Sequence, residues 1–218
     1  MNTQTNKPAD TVVVLDFETT GLSPNQGDRA IEIGAVRIEQ GQIVARFQEL
    51  MNPGFRISGF IENYTGITNA MLQSAPPCEE VMSRFINFIG DHCLVAHNAS
   101  FDSRFLGAEL QRIGHAQSNT FACSMLIARR LYPTAPNHQL GTLVEFKRIP
   151  TDGVFHRALA DTEMTAKLWL TMVEELQLDH GIHPVTFPFM QRLSRTAKGA
   201  VPRLLKKASD QASKGDSA

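Results

Sequence analysis

Five ionisable side chains stand where chemistry can be done. Asp16 and Glu18 follow an apolar run in VVVLDFETTG, and Asp102 opens a helical pattern in VAHNASFD. His156 and Asp161 fall at the start of another helical pattern in FHRALADTEMT. Singly, each has an ordinary explanation: acids end strands and begin turns, Asp102 suits the positive end of a helix dipole, Asp161 suits a solvated helix face, and His156 suits a loop. Glu163 lies two residues past Asp161 and need not share its face. Together, four carboxylates and one imidazole at the ends of elements form a set that can converge.

Such a set suits phosphodiester hydrolysis assisted by two hard divalent cations. Carboxylate oxygens are ligands for Mg²⁺ or Mn²⁺, and two such ions about 3.5–4 Å apart serve both the attacking water and the leaving oxygen. Four clustered carboxylates would otherwise repel one another, so cations also resolve the electrostatics. A histidine, with an ordinary pKa of about 6.5, can accept the water's proton near neutrality without ligating metal. The sequence has no Gly-x-Ser-x-Gly elbow, no Walker phosphate loop and no Cys-His pair at metal-binding spacing. Cys78, Cys93 and Cys123 are widely spaced in apolar surroundings and read as buried thiols, not as a disulfide framework.

The elements that must position these groups follow from periodicity. Residues 12–16 read as a strand buried on both faces. In residues 31–38, Ile31, Ile33, Ala35 and Arg37 share one face, and Glu32, Gly34, Val36 and Ile38 the other. Residues 43–50 make a third strand, with a tight turn at Gly41-Gln42. Helical stripes follow at 79–89 and 100–113, with shorter ones at 125–131 and 140–146, and a brief strand at 93–96. The longest stripe, 158–177, carries Met164, Leu168, Trp169, Met172, Val173 and Leu176 at three- and four-residue steps and reads as core. A three-strand meander followed by alternating helices and strands predicts an α/β domain with a mixed sheet covered by helices.

Charge is distributed unevenly. Residues 1–191 hold 14 Lys or Arg against 20 Asp or Glu, a difference of −6, whereas residues 192–218 hold 7 against 2, a difference of +5. An acidic body does not attract a polyanion in bulk, so a nucleic-acid substrate needs local cations. The basic end reads as a frayed, soluble terminus, as a phosphate contact through Arg192, Arg195, Lys198, Arg203, Lys206 and Lys207, or as a segment whose Leu204-Leu205 packs in a partner's groove. No apolar run is long enough to span a membrane and the first residues lack the apolar core of a signal peptide, so the expectation is a cytoplasmic protein.

The segments LDFETTGL, HNASFDSRFL and HRALADTEMT, in that order, resemble the three motifs of the DEDDh (DnaQ-like) 3′–5′ exonucleases, which include the proofreading subunit of bacterial replicative polymerase. The resemblance runs from about residue 12 to about residue 176. It implies an RNase H-like fold with a central mixed five-stranded sheet flanked by helices, an exonuclease domain over residues 10–180, and a basic, partly flexible extension over 181–218. It also implies roles. Asp16, Glu18 and Asp161 would serve a tightly bound ion, Asp16 bridging to a second, with Asp102 acting through water and His156 as general base. Thr19, Thr20 and Leu22 would line the terminal-nucleotide pocket, with Phe101 and the NYTGIT loop, Asn63 to Thr68 with Thr65, Gly66 and Ile67 at its centre, beside it and Asn98 supporting the site. The implied substrate is a single-stranded 3′ end, DNA by closeness of motif, with RNA trimming as the alternative. A non-catalytic end-binding module would be expected to lack one of the motif acids, and none is missing. The implied partner is a polymerase or another replication or repair protein; nothing in the sequence speaks to self-association.

Overall fold

The computed structural model describes residues 7–150 and 157–215. Its centre is a five-stranded sheet built from β1 (Val12–Thr19), β2 (Ala30–Glu39), β3 (Gln42–Leu50), β4 (Leu94–Ala96) and β5 (Phe121–Cys123) in the order β3-β2-β1-β4-β5. The meander β1-β2-β3 is antiparallel, whereas β4 runs parallel to β1 and β5 parallel to β4. The expected mixed sheet is present. Its fifth strand, three residues long, is too short to leave a periodic signature.

Both faces of β1 are covered. Val13, Leu15 and Phe17 pack with α3 (Cys78–Ile89) and α4 (Ser100–Arg112) in one apolar layer. Val12 and Val14 pack with α7 (Ala158–Leu178), whose Leu168, Trp169, Met172 and Leu176 are fully buried. Each such side chain contributes about 1.5–3 kcal/mol of burial. The indole Nε1 of Trp169 donates to the Ala9 carbonyl at 2.7 Å, so the ring loses no hydrogen bond in the core. A smaller cluster of Ile31, Ile57, Ile67 and Leu72 seats α1 (Gly59–Thr65) and α2 (Asn69–Ser74) at one end of the sheet. The two faces assigned to β2 by alternation are the two faces found: Ile33 and Ala35 look toward α3 and α4, Val36 and Ile38 toward α7.

Gly34 sets the position of α7. A Cβ on it would lie 2.3 Å from the backbone carbon of Ala158 and the nitrogen of Leu159, so only glycine lets the first turn of α7 rest on the sheet. The Thr162 hydroxyl lies 3.0 Å from the Gly34 carbonyl and adds a polar fastening. Glu32, on the same face of β2, accepts from the Ala158 amide at 3.1 Å and from the Arg157 guanidinium at 2.8 Å, capping the helix start with a buried carboxylate.

The remaining helices are α5 (Ser124–Leu131), α6 (Leu140–Phe146), α8 (Phe187–Arg195) and α9 (Val201–Gly215). The stretch after residue 180, expected as a partly flexible extension, is helical over most of its described length. Phe187, Met190, Leu193, Val201, Leu204 and Leu205 join the same core as α7. The reason is amphipathicity: in α9, residues 201, 204, 205 and 208 form one stripe, short enough to be obscured by the Lys, Ser and Ala around it.

Candidate active site

β1 carries both acids within the strand: it runs on to Thr19, past the expected end at residue 16, and so takes in Glu18 as well as Asp16. Asp16 pairs with Gly34 and Glu18 with Glu32 across the antiparallel ladder, and a register shift follows between Glu18 and Thr19. Alternation puts residues 12, 14, 16 and 18 on the α7 face. Because Gly34 admits the start of α7 beside Asp16, Asp161 on its first turn meets both strand acids. Asp16, Glu18 and Asp161 each present a carboxylate oxygen, and these oxygens lie within 4.8 Å of one another.

Asp102 approaches from the other side, on the first turn of α4. Its carboxylate accepts from the Phe17 amide at 3.3 Å, which ties the helix to the strand between the two β1 acids. Burial pushes the Asp102 carboxyl up to about 7, against the pull of its own and the Phe17 amide. Glu18 is raised to about 8, first by burial and then by Asp161 and Glu32, with Arg157 acting in the opposite direction. Asp16 is held well above the ordinary carboxylate range by burial, then by Asp102, Glu18, Asp161 and Glu32. These carboxyls are raised by burial and by one another, and oxygen-rich, mutually repelling carboxylates fit a hard divalent cation.

Asp16, Glu18 and Asp161 floor a cleft of about 680 Å³, a size that suits one small ligand, and Asp102 lies outside its lining. Its walls include Thr19 at the end of β1, Thr20 and Leu22 after it, Thr65 on α1 and Phe101 on α4. The Thr19 hydroxyl is turned to the Gly21 carbonyl at 2.6 Å, and that of Thr20 lies 3.2 Å from Asp28 and accepts from the Arg29 amide, so both hydroxyls shape the loop. Gly66, Ile67 and Asn98 do not line the cleft. Gly66 supplies the left-handed end of α1 at φ 70°, Ile67 is fully buried beneath α1 and α2, and Asn98 is exposed at φ 70° in the turn from β4 to α4. These are turn and packing duties that a motif reading does not separate from binding. His156 lies outside the described residues.

Several contributors escaped sequence reasoning. Ser58, Phe60, Ile61 and Tyr64 on and before α1 line the cleft. Phe60 is 74% and Tyr64 53% exposed, and their rings stack at 6.0 Å with an interplanar angle of 11°. Tyr64 lies in the loop segment placed beside the pocket but was not singled out, and the i, i+4 spacing of the two aromatics is the signal that pairs Phe60 with it. Glu32 and Gly34 were placed on the right face but given no role; an acid and a glycine inside an apolar strand are the signal, because both mark close backbone approach. His97, in the second motif, is a structural lock: its ring nitrogens lie 2.9 Å from the Ser124 hydroxyl and 2.9 Å from the His138 carbonyl, and burial lowers its pKa to about 4.

The model of the exonuclease family matches residues 13–169, spanning every motif acid. The chain belongs to that family. This exonuclease chain is 36% identical over 173 residues to the DNA polymerase III subunit epsilon of Aquifex aeolicus, covering 79% of this chain and 85% of that one. It is 42% identical over 174 residues to a PolC-type DNA polymerase III of Caldanaerobacter subterraneus, covering 80% of this chain but only 12% of that protein. Among solved structures it is similar to exonuclease X in complex with 5′-overhanging duplex DNA, with 29% identity, a TM-score of 0.67, and coverage of 84% of this chain and 99% of that one. The fold is the RNase H-like one that the motifs implied, and a divalent-metal dependence comes with the family. No helix among the described residues is long and apolar enough to cross a membrane.

Proposed function

We propose that this chain is a metal-dependent 3′–5′ exonuclease that hydrolyses the terminal phosphodiester of single-stranded DNA and releases nucleoside 5′-monophosphates. The observation that carries the reading is the three-carboxylate cluster at the floor of a nucleotide-sized cleft. Asp16, Glu18 and Asp161 would hold one Mg²⁺ or Mn²⁺, and Asp16 with Asp102 would serve a second. Bound there, divalent cations supply Lewis-acid stabilisation of phosphoryl charge and a more acidic water.

The chain's own groups do the rest. Leu22, Phe60 and Tyr64 offer apolar and aromatic surface against which a terminal base can stack. Thr19, Thr20 and Thr65 shape the wall toward the sugar. His156 takes the proton of the attacking water. Its sequence neighbour Arg157 is tethered to Glu32 and close enough to Glu18 to lower that group's pKa, which supports a base at this end of α7. The likeness to an epsilon subunit supports service to a replicative or repair polymerase, in the cytoplasm.

Mass-resolved products from matched single-stranded DNA and RNA, with Mg²⁺ or Mn²⁺, test the reading. Stepwise release of deoxynucleoside 5′-monophosphates from the 3′ end is expected. Release from RNA alone would replace DNA with RNA as substrate, and release from neither would leave an end-binding module. His156→Ala should lower turnover sharply while the metal-dependent rise in melting temperature persists; loss of both in proportion would remove His156 from the base role.

A further inference from the structure

Outside the cleft, the least neutralised surface is the C-terminal one. The ten ion pairs found among the described residues involve no residue beyond Glu175. Arg192, Arg195, Lys198, Arg203, Lys206 and Lys207 are all exposed, and none forms an ion pair with a carboxylate among the described residues. Asp210, the acid that shares their helix, is not paired with them either.

These cations are fixed in place. Val201, Leu204 and Leu205 are buried and Ala208 packs beside them, which turns positions 203, 206 and 207 outward on the opposite side of α9. The connection from α8 is pinned where Arg130 Nε donates to the Thr196 carbonyl at 2.6 Å, and α8 itself where the Gln191 side chain donates to the Phe121 carbonyl at 2.7 Å. Flexible lysines on a frayed tail would be ordinary. A row of unpaired cations held on an ordered helix, on a body with a −6 excess of acids, is a local attractor for a polyanion.

Resting on the reading of the cleft as a DNA-end hydrolase, we infer that the outer face of α9, with the Arg192–Lys198 stretch leading into it, is a second DNA contact that grips the phosphate backbone away from the 3′ end. Ser209 lies beside Gly181, just past the end of α7, whereas Asp161 is on the first turn of α7. The helix between them spans about 26 Å at 1.5 Å per residue. That is about eight nucleotides at the 3.4 Å spacing of a duplex strand. The contact therefore engages long substrates and is out of reach of a trinucleotide bound in the cleft.

The test is the triple variant Arg203→Gln/Lys206→Gln/Lys207→Gln, with Arg203→Lys/Lys206→Arg/Lys207→Arg as the charge-retaining control. Binding of a 30-nucleotide single strand, read by fluorescence anisotropy in EDTA from 50 to 200 mM salt, and steady-state hydrolysis of the 30-mer and a trinucleotide are compared with wild type. The neutral variant should lose about 2 from the log–log salt slope, three contacts at about 0.7 each, so that wild type's advantage shrinks about 15-fold over that salt range. KM for the 30-mer should rise, trinucleotide turnover should hold, and the control should keep the wild-type slope. Equal slopes for wild type and neutral variant would overturn the inference and leave this face to an acidic protein. An equal loss on the trinucleotide would also overturn it, as damage reaching the cleft. Should wild type hydrolyse neither substrate, the reading of the cleft fails, while the binding slopes still decide the contact on α9.

Discussion

Glu109 and Glu18 are both buried carboxylates, 1% and 8% exposed, beside the same end of the sheet, yet their surroundings are opposite. Glu109 on α4 is gripped by the Arg29 guanidinium at 2.9 and 3.0 Å, by the Ala30 amide at 3.2 Å and by Arg112 at 3.3 Å. Glu32 is likewise satisfied, by Arg157, Gln48 and the Ala158 amide. Glu18 faces Asp16 and Asp161 instead, and the cationic influence on it is the more distant Arg157. A protein that neutralises Glu109 and Glu32 so fully sets Glu18, Asp16 and Asp161 against one another, in reach of a shared ligand. Buried charge matched by built-in cations holds the fold; buried charge set against like charge marks where a metal ion fits.

The comparison can be broken most severely at the strand. Asp16→Asn should lower turnover about a thousandfold, the scale of several kcal/mol of cation-borne stabilisation. It should leave the metal-free melting temperature at pH 8 unchanged or higher, since a repelling charge is removed. A large loss of stability would put Asp16 in the class of Glu109. Glu109→Gln should do the reverse, costing about 3 kcal/mol by taking from Arg29 the buried one of its two carboxylate partners, Glu79 being the other, as read by urea denaturation, with turnover per folded molecule close to wild type.

A backbone substitution sharpens the link between the two kinds of carboxylate. Gly34→Ala should push α7 off β2, costing about 1–3 kcal/mol of stability and about a hundredfold in turnover, the effect of a displacement near 1 Å at a reacting centre. Turnover that fell only as much as stability would show that α7 does not set the site's geometry. The smallest effect is on pH dependence. Asp102 and Glu18, raised to about 7 and about 8, hold protons in the folded state at pH values where the unfolded chain has lost them. The metal-free protein should therefore lose stability as pH rises from about 4.5 through 8, and melting temperatures in EDTA should fall across that window. Mg²⁺ or Mn²⁺ should raise the melting temperature more at pH 8 than at pH 5.5; an equal rise at both would mean that the cluster does not bind the ion.

Much of this was legible in the chain itself. Asp16, Glu18, Asp102 and Asp161 announce themselves by type and by position at strand and helix ends, and the alternation in AIEIGAV assigns both faces of β2 correctly. The short β5 and the helices α1, α2, α8 and α9 were not legible, because each carries too few apolar positions to set a period and acquires its stability from the surface it covers. The lining residue Phe60 belongs to such a helix and was missed with it, and Tyr64 was reached only as part of the segment Asn63 to Thr68.

The sequence by itself determined which atoms are available: four motif carboxylates, a histidine, an apolar sheet and a basic end, each fixed by residue identity and local period. Only the tertiary structure decided which of them meet. Gly34 lets α7 down onto β2 so that Asp161 joins Asp16 and Glu18, Phe17 anchors Asp102 behind them, and Arg29 satisfies Glu109 nearby. Distances between residues far apart in the chain are set by which backbones can approach, and no one-dimensional pattern records that.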